Sequence, residues 1–231
     1  MLRLALGAAW LATVAAPVFA QSTDEKLDAL EARITRLEDL NAIERLQKTY
    51  GYFVDKGQWT QLSELFTEDA TLEIGGKGLF LGKDRVLEYM HTAFGPDGAK
   101  PGVLANHMQF QPIPDISADG ETGWIRSRAF VMSNGGWGLP LYENAYRKEN
   151  GVWKISNLHF YMQAMADYDL GFSRGPLRME GPSALFPPDK PPTEVYRAFP
   201  SGYTPPFSFL HPVTGKPLPV QQPADDVARP K

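Results

Sequence analysis

Apolar positions in this 231-residue chain change period along its length. Between residues 22 and 47 they recur every three or four residues. Leu27, Leu30, Ile34 and Leu37 fall at a and d heptad positions, with Glu25, Glu31, Arg33 and Arg36 between them. Asn41 continues the a register, and the pattern then shifts to Leu40, Ile43, Leu46 and Tyr50, with Phe53 on the same face. This spacing predicts a polar amphipathic helix that Gly57 stops, as a residue tolerant of positive φ does just past a C-terminus. Two heptads leave two readings open, a short coiled coil or a helix packed on its own domain. Next, Thr60 is expected to cap a second helix with apolar face Leu62, Leu65 and Phe66, closed by Asp69.

From Ala70 the period falls to two. Residues 70–74 read as a strand, Gly75, Gly76 and Gly78 as a tight turn, and 79–81 as a short strand. Asp84 is expected to cap a helix carrying Val86, Leu87, Met90 and Phe94, and 95–102 is a Pro/Gly loop. Four long strands are predicted over 103–111, 123–133, 141–149 and 152–165, the last two joined by the Asn150-Gly151 hairpin turn. Helices first and long antiparallel strands afterwards indicate an α+β fold.

The remainder breaks both periods. Fourteen of the twenty prolines follow Gly175, together with Phe186, Tyr196, Phe199, Tyr203, Phe207 and Phe209. Proline at this density excludes helix and sheet interiors, whereas a disordered linker carries few aromatics. An extended arm that lays its aromatics on the domain or on a neighbouring subunit is expected, ending in a disordered tail from Gln221.

At the other end, Arg3, the apolar run 4–14 and Val18-Phe19-Ala20 read as a secretory signal peptide cleaved before Gln21. The expected division is therefore 1–20 signal peptide, 21–40 helical extension, 41–170 domain and 171–231 arm. The protein is expected to be periplasmic or secreted, with no membrane span in the mature chain. Removing Arg3 takes the formal charge from −4 to −5, and an acidic chain without a basic patch offers no footprint for nucleic acid. The absence of cysteine excludes thiolate nucleophiles and cysteine metal sites.

No phosphate loop, dinucleotide fingerprint, G-x-S-x-G, HxH or HExxH occurs, so neither a metal nor another cofactor is expected. His91 and His211 read as surface residues. His107 shares a strand face with Ala105, Gln109 and Gln111, opposite Met108 and Phe110. Tyr142, Asn144 and Tyr146 alternate onto one face of the third long strand, and His159 shares a face with Asn157 and Tyr161. Asp55 stands in the last helical turn, where the dipole disfavours a carboxylate. It is either a solvated surface acid or a group kept to orient a partner.

The order and spacing of several motifs carry a resemblance. Asp55 at a helix end, Trp59 four residues later, the strand from Thr71 to Ile74, Asn106-His107, and Asn150 to Lys154 before the last strand resemble the SnoaL-like branch of the nuclear transport factor 2-like superfamily, notably scytalone dehydratase. The likeness covers roughly residues 41–165. It implies a curved, mostly antiparallel sheet which, with the N-terminal helices, forms a cone-shaped barrel around a pocket. It implies catalytic roles for Asp55, His107 and Tyr50: His107 as general base, Asp55 fixing its tautomer, and Tyr50 polarising a substrate oxygen. It implies a substrate pocket drawn from Tyr142, Asn144, Val131, His159 and Phe160, with His159 ranked below His107 because its face aligns with the outward one.

The chain also departs from the dehydratase. Val131 stands where that enzyme has a second histidine, and Val54 and Gly76 replace two water-positioning tyrosines. The resemblance therefore implies a related cofactor-independent lyase, eliminating water or cleaving a carbon–carbon bond in a small aromatic or polycyclic compound. Steroid-isomerase-like proton transfer and a non-catalytic binding or assembly module are the alternatives. A homodimer or homotrimer is expected.

Overall fold

The computed structural model describes residues 22–175, 178–220 and 222. The signal peptide and most of the tail expected from Gln221 lie outside the described residues. A 33-residue helix, α1 (Thr23–Asp55), opens the fold. It starts with a reciprocal cap, in which Ser22 N donates to Glu25 Oε2 and Glu25 N to Ser22 Oγ. It ends in a Schellman motif: Gly57, at φ +62°, donates to Val54 O, and Gln58 N donates to Phe53 O. α1 runs unbroken through the boundary expected at residue 40/41. The compact body begins at Arg36, whose guanidinium donates to Ile116 O and Asp115 Oδ1.

The next elements correct three expectations. α2 (Trp59–Glu64) is followed at once by β1 (Phe66–Ile74), so Phe66 and Asp69 are strand residues. Strand pairing decides this. Phe66 pairs with Ile155 in parallel, is fully buried, and is joined to Thr71 through an irregular register that absorbs Asp69. Thr60 does not cap α2. Its N–H and hydroxyl instead donate to Asp97 Oδ2, a carboxylate 37 residues away that satisfies the helix start from outside. A short 3-10 turn (Gly75–Lys77) and β2 (Leu79–Leu81) lead to α3 (Lys83–Phe94). The N-cap of α3 is Gly82, which places Asp84 in the first turn rather than at the cap.

The sheet continues with β3 (Ala105–Ile116), β4 (Thr122–Ser133), β5 (Gly136–Gly138), β6 (Leu141–Glu149), β7 (Val152–Tyr161) and β8 (Met165–Ala166). Eight strands form one unclosed sheet in the order β2-β1-β7-β6-β4-β5-β8, with β3 also paired to β4. All pairings are antiparallel except β1 with β7. β3 runs five residues beyond the expected 111 through a bulge, where Gln111 takes φ +48°. That residue therefore leaves the face it was expected to share with His107. The predicted last strand is two, because pairing with β6 stops at Tyr161 and the chain then crosses to β5.

The core lies between the sheet and the helices: Ile43, Tyr50, Trp59, Leu62, Phe66, Leu72, Val86, Met90, Ile125, Ile155 and Leu158 are buried together. Trp59 donates to Gly95 O and stacks on Phe94, fastening α2 to the end of α3. Trp153 donates to buried Asp39 on α1, which also accepts from Lys148.

The C-terminal arm packs on its own domain. Phe186 stacks on Phe80, with Arg85 lying over its ring. Leu79 bridges to Lys190, and Asp189 accepts from Leu81 N and Arg85. Thr193 donates twice to Glu73, Tyr196 is buried beside Tyr161, and Tyr203 stacks on Tyr196. Further on, Arg126 lies under Phe207, bonded to Glu143 and to the carbonyls of Pro205 and Pro206.

Candidate active site

The site starts from two residues at element ends. Asp55 is the last residue of α1, and His107 is the third residue of β3. The imidazole Nδ1 lies 2.9 Å from Asp55 Oδ1. A carboxylate at this distance selects the tautomer with the proton on Nδ1, which leaves Nε2 as the basic nitrogen. Both side chains are part-buried, 15% and 13% exposed, so their attraction is less screened than on an open surface. The pairing also accounts for an acid at a helix C-terminus, since the histidine offsets the unfavourable dipole.

Gly51 makes the approach feasible. It lies one turn before Asp55, and a Cβ there would stand 2.7 Å from the His107 carbonyl oxygen. Only a residue without a side chain lets α1 come this close to β3. A glycine in mid-helix one turn before a terminal acid is a signal the sequence carries, although periodicity does not reveal its meaning.

The aromatic residues of the core extend from this point. Tyr50 packs edge-on against Phe66 and Tyr142, and Tyr142 edge-on against Phe160. Burial pushes both phenols well above their usual range, with the Asp55 charge adding to the effect on Tyr142. They stay protonated and can act as hydrogen-bond donors near neutral pH. Val131 is the β4 residue directly opposite His107, and it too is buried.

Asn144 sits on the same β6 face as Tyr142, but its polar atoms are occupied. Its Nδ2 donates to Gln47 Oε1, and its Oδ1 accepts from His159 N. Tyr146 donates to the same Gln47 oxygen, while Gln47 Nε2 donates to Gln109 Oε1. This buried amide network, centred on a helix glutamine that sequence reasoning missed, fixes the register of α1 on the sheet beneath the dyad.

His159 lies elsewhere. Strand alternation sends it to the face opposite Phe160, where it stacks on Tyr161 and its Nε2 stands 3.7 Å from Glu73 Oε1. The arm closes over this face, since Thr193 holds the same carboxylate. The structure thus brings together Tyr50, Asp55, His107, Val131, Tyr142 and Phe160, and separates His159 from them.

Two surface grooves lie away from the dyad, one along α1 from Leu37 to Tyr52 and one within the arm from Pro206 to Gln222. The segment bordering the dyad is the loop 95–104. Gly98 N donates to Gly57 O, two residues past Asp55, and β3 begins just after Leu104. Val103 and Leu104 expose apolar side chains there. Among the described residues no group of three or more His, Asp or Glu is arranged to hold a metal ion.

Three solved structures share the fold. One is a candidate scytalone dehydratase from Novosphingobium aromaticivorans DSM 12444, 19% identical with a TM-score of 0.52, covering 66% of this chain and 97% of its own. The second is a hexachlorocyclohexane dehydrochlorinase, LinA Type2, 20% identical with a TM-score of 0.52, covering 65% and 97%. The third is the dehydrochlorinase LinA-type3 from Novosphingobium barchaimii LL02, 20% identical with a TM-score of 0.52, covering 58% and 93%. The model of a SnoaL-like domain matches residues 35–159, more than half of the sequence. With the α-helical layer, the unclosed eight-stranded sheet and this match in place, the chain belongs to the SnoaL-like family of the nuclear transport factor 2-like superfamily.

Proposed function

We propose that the protein is a cofactor-independent lyase that acts by acid–base chemistry on a small aromatic or polycyclic hydrophobic compound. The observation that carries this reading is the 2.9 Å contact between His107 Nδ1 and Asp55 Oδ1 at the end of an aromatic-lined core. His107 Nε2 takes a proton from the substrate, and Asp55 stabilises the imidazolium that forms. In an elimination the proton comes from carbon, its electron pair forms the new double bond, and the leaving hydroxyl takes the proton back from the imidazolium and departs as water. In a carbon–carbon cleavage the proton comes from a hydroxyl, whose oxygen becomes the carbonyl of the departing fragment as the bond breaks, and the imidazolium returns the proton to the carbon that keeps the bond's electron pair. Tyr50 or Tyr142, kept protonated, donates a hydrogen bond to the substrate oxygen.

Fold-level likeness does not separate this reading from a binding module, for which the occupied polar atoms of Asn144 speak. The test is to incubate the purified protein with a panel of lignin-derived and polycyclic aromatics. Loss of water or of a small carbonyl fragment, read by mass spectrometry, supports the lyase. Binding without turnover supports the module instead. We also propose, from Arg3, the apolar run 4–14 and Val18-Phe19-Ala20, that the protein is exported, so the native protein should begin at Gln21; an intact Met1 in the cytoplasmic fraction overturns export.

A further inference from the structure

The first half of α1 carries an apolar stripe with a charge pattern of its own. Leu27, Leu30, Ile34 and Leu37 are 57%, 49%, 55% and 66% exposed, an uncommon state for four consecutive heptad positions. In heptad terms Leu27, Ile34 and Asn41 take a, and Leu30 and Leu37 take d. Position g is Lys26 and Arg33; position e is Glu31 and Glu38.

We infer that this stripe is the seam of a parallel two-stranded coiled coil with a second copy of the same chain. Three features select that occupant. First, in a parallel pair g of one helix faces the following e of the other, setting Lys26 against Glu31 and Arg33 against Glu38 of the second helix. An antiparallel pair would set g against g and e against e, bringing like charges together. Second, β-branched Ile34 at a with leucine at d favours two strands over three or four. Third, Asn41 is an exposed polar residue at a, where a buried asparagine pairs with its own counterpart and fixes both register and strand number. Two heptads are short for a coiled coil in isolation. Here the helix is already formed, because its C-terminal half is anchored in the core by Ile43, Gln47 and Tyr50. Little ordering remains to oppose association. The seam would join the extensions of two protomers and lies outside the dyad, so this inference does not depend on the proposed chemistry.

The chain has no cysteine, which permits a clean test on the whole mature protein. In a parallel pair a residue at a lies beside its own counterpart, so Leu27→Cys should give a disulfide-linked dimer on mild oxidation. In an antiparallel pair the two cysteines would lie far apart. Leu30→Glu placed in the same background should abolish the cross-link, and so should Arg33→Glu. Adding Glu38→Arg to Arg33→Glu restores opposite charges and should restore the cross-link. All substituted residues are solvent-facing, and circular dichroism checks that the domain remains folded. Absence of the cross-link overturns the proposal, as does a cross-link that persists with Leu30→Glu. A trimeric mass by sedimentation overturns the two-stranded assignment.

Discussion

His107 turns Nδ1 toward Asp55 Oδ1 across 52 residues of sequence, and the helix carrying Asp55 can approach because Gly51 has no side chain to strike the His107 carbonyl. If the pair acts as one base, the losses from its two members should not multiply. His107→Ala should lower kcat about 10²- to 10⁴-fold on the substrate found by the panel. Asp55→Asn should cost less, and the double variant little more than His107→Ala. Strictly multiplicative losses would show independent action, and a fully active His107→Ala would remove the base from the mechanism.

Gly51→Ala probes the approach itself. A methyl group 2.7 Å from a carbonyl oxygen forces backbone apart, and overpacking of this kind typically costs about 1–3 kcal/mol. Melting temperature should drop, and kcat should fall with the dyad residues unchanged. The imidazole resonances of His107 in NMR should shift as the hydrogen bond lengthens. Unchanged resonances and rate would mean that α1 tolerates the displacement.

The two phenols are separable by removing one oxygen at a time. Tyr50→Phe and Tyr142→Phe keep the edge-on ring contacts. The variant whose hydroxyl binds the substrate oxygen should lose about tenfold in kcat/KM, the worth of one hydrogen bond of about 1.4 kcal/mol. Full activity in both would exclude them as donors.

Gln47 is a stability residue. Gln47→Ala leaves Asn144 Nδ2 and Tyr146 Oη without their bonds in a buried setting, and leaves Gln109 Oε1 with only the Ser127 hydroxyl. The expected loss is about 2–4 kcal/mol, since each stranded polar group costs roughly 1–3 kcal/mol before relaxation. Chemical denaturation measures it, and a change under 1 kcal/mol would show that water or rearrangement replaces the glutamine.

His159 should make stability depend on pH. Burial lowers its pKa to about 4, from an ordinary value near 6.5, and Nε2 has no hydrogen-bond partner. As pH falls from 6.5 toward 4, the unfolded chain takes up a proton that the folded chain refuses, so stability is lost across that window, by roughly 2–3 kcal/mol at most. Facing groups complicate only the total. Burial raises the Glu73 carboxyl, held by Thr193, which gives the opposite slope, and Tyr161 stacks beside the ring without titrating in this range. The readout is therefore the difference between wild type and His159→Phe in denaturation midpoints from pH 4 to 7. A constant difference would show that the imidazole is accessible to protons in the folded state.

Much of this architecture was legible residue by residue. Gly57 after a helical face, Asn150-Gly151 between two alternating runs, and fourteen late prolines among aromatics are local signals, because backbone conformation at such positions is set by a residue and its immediate neighbours. The stripe on α1 was legible for the same reason. Tertiary structure decided what local signals leave open. Phe66 has helical spacing, yet it became a strand residue because pairing with Ile155 buries it completely. Thr60 looked like a cap, and a distant carboxylate, Asp97, took the task. His159 and His107 are both strand histidines in the sequence. Sheet pairing and the path of the arm put His159 under a covering segment, while the close passage of α1 gave His107 a carboxylate. Those outcomes depend on which surfaces meet, and contact between residues far apart in the chain is set by packing over the whole fold rather than by anything in the neighbouring sequence.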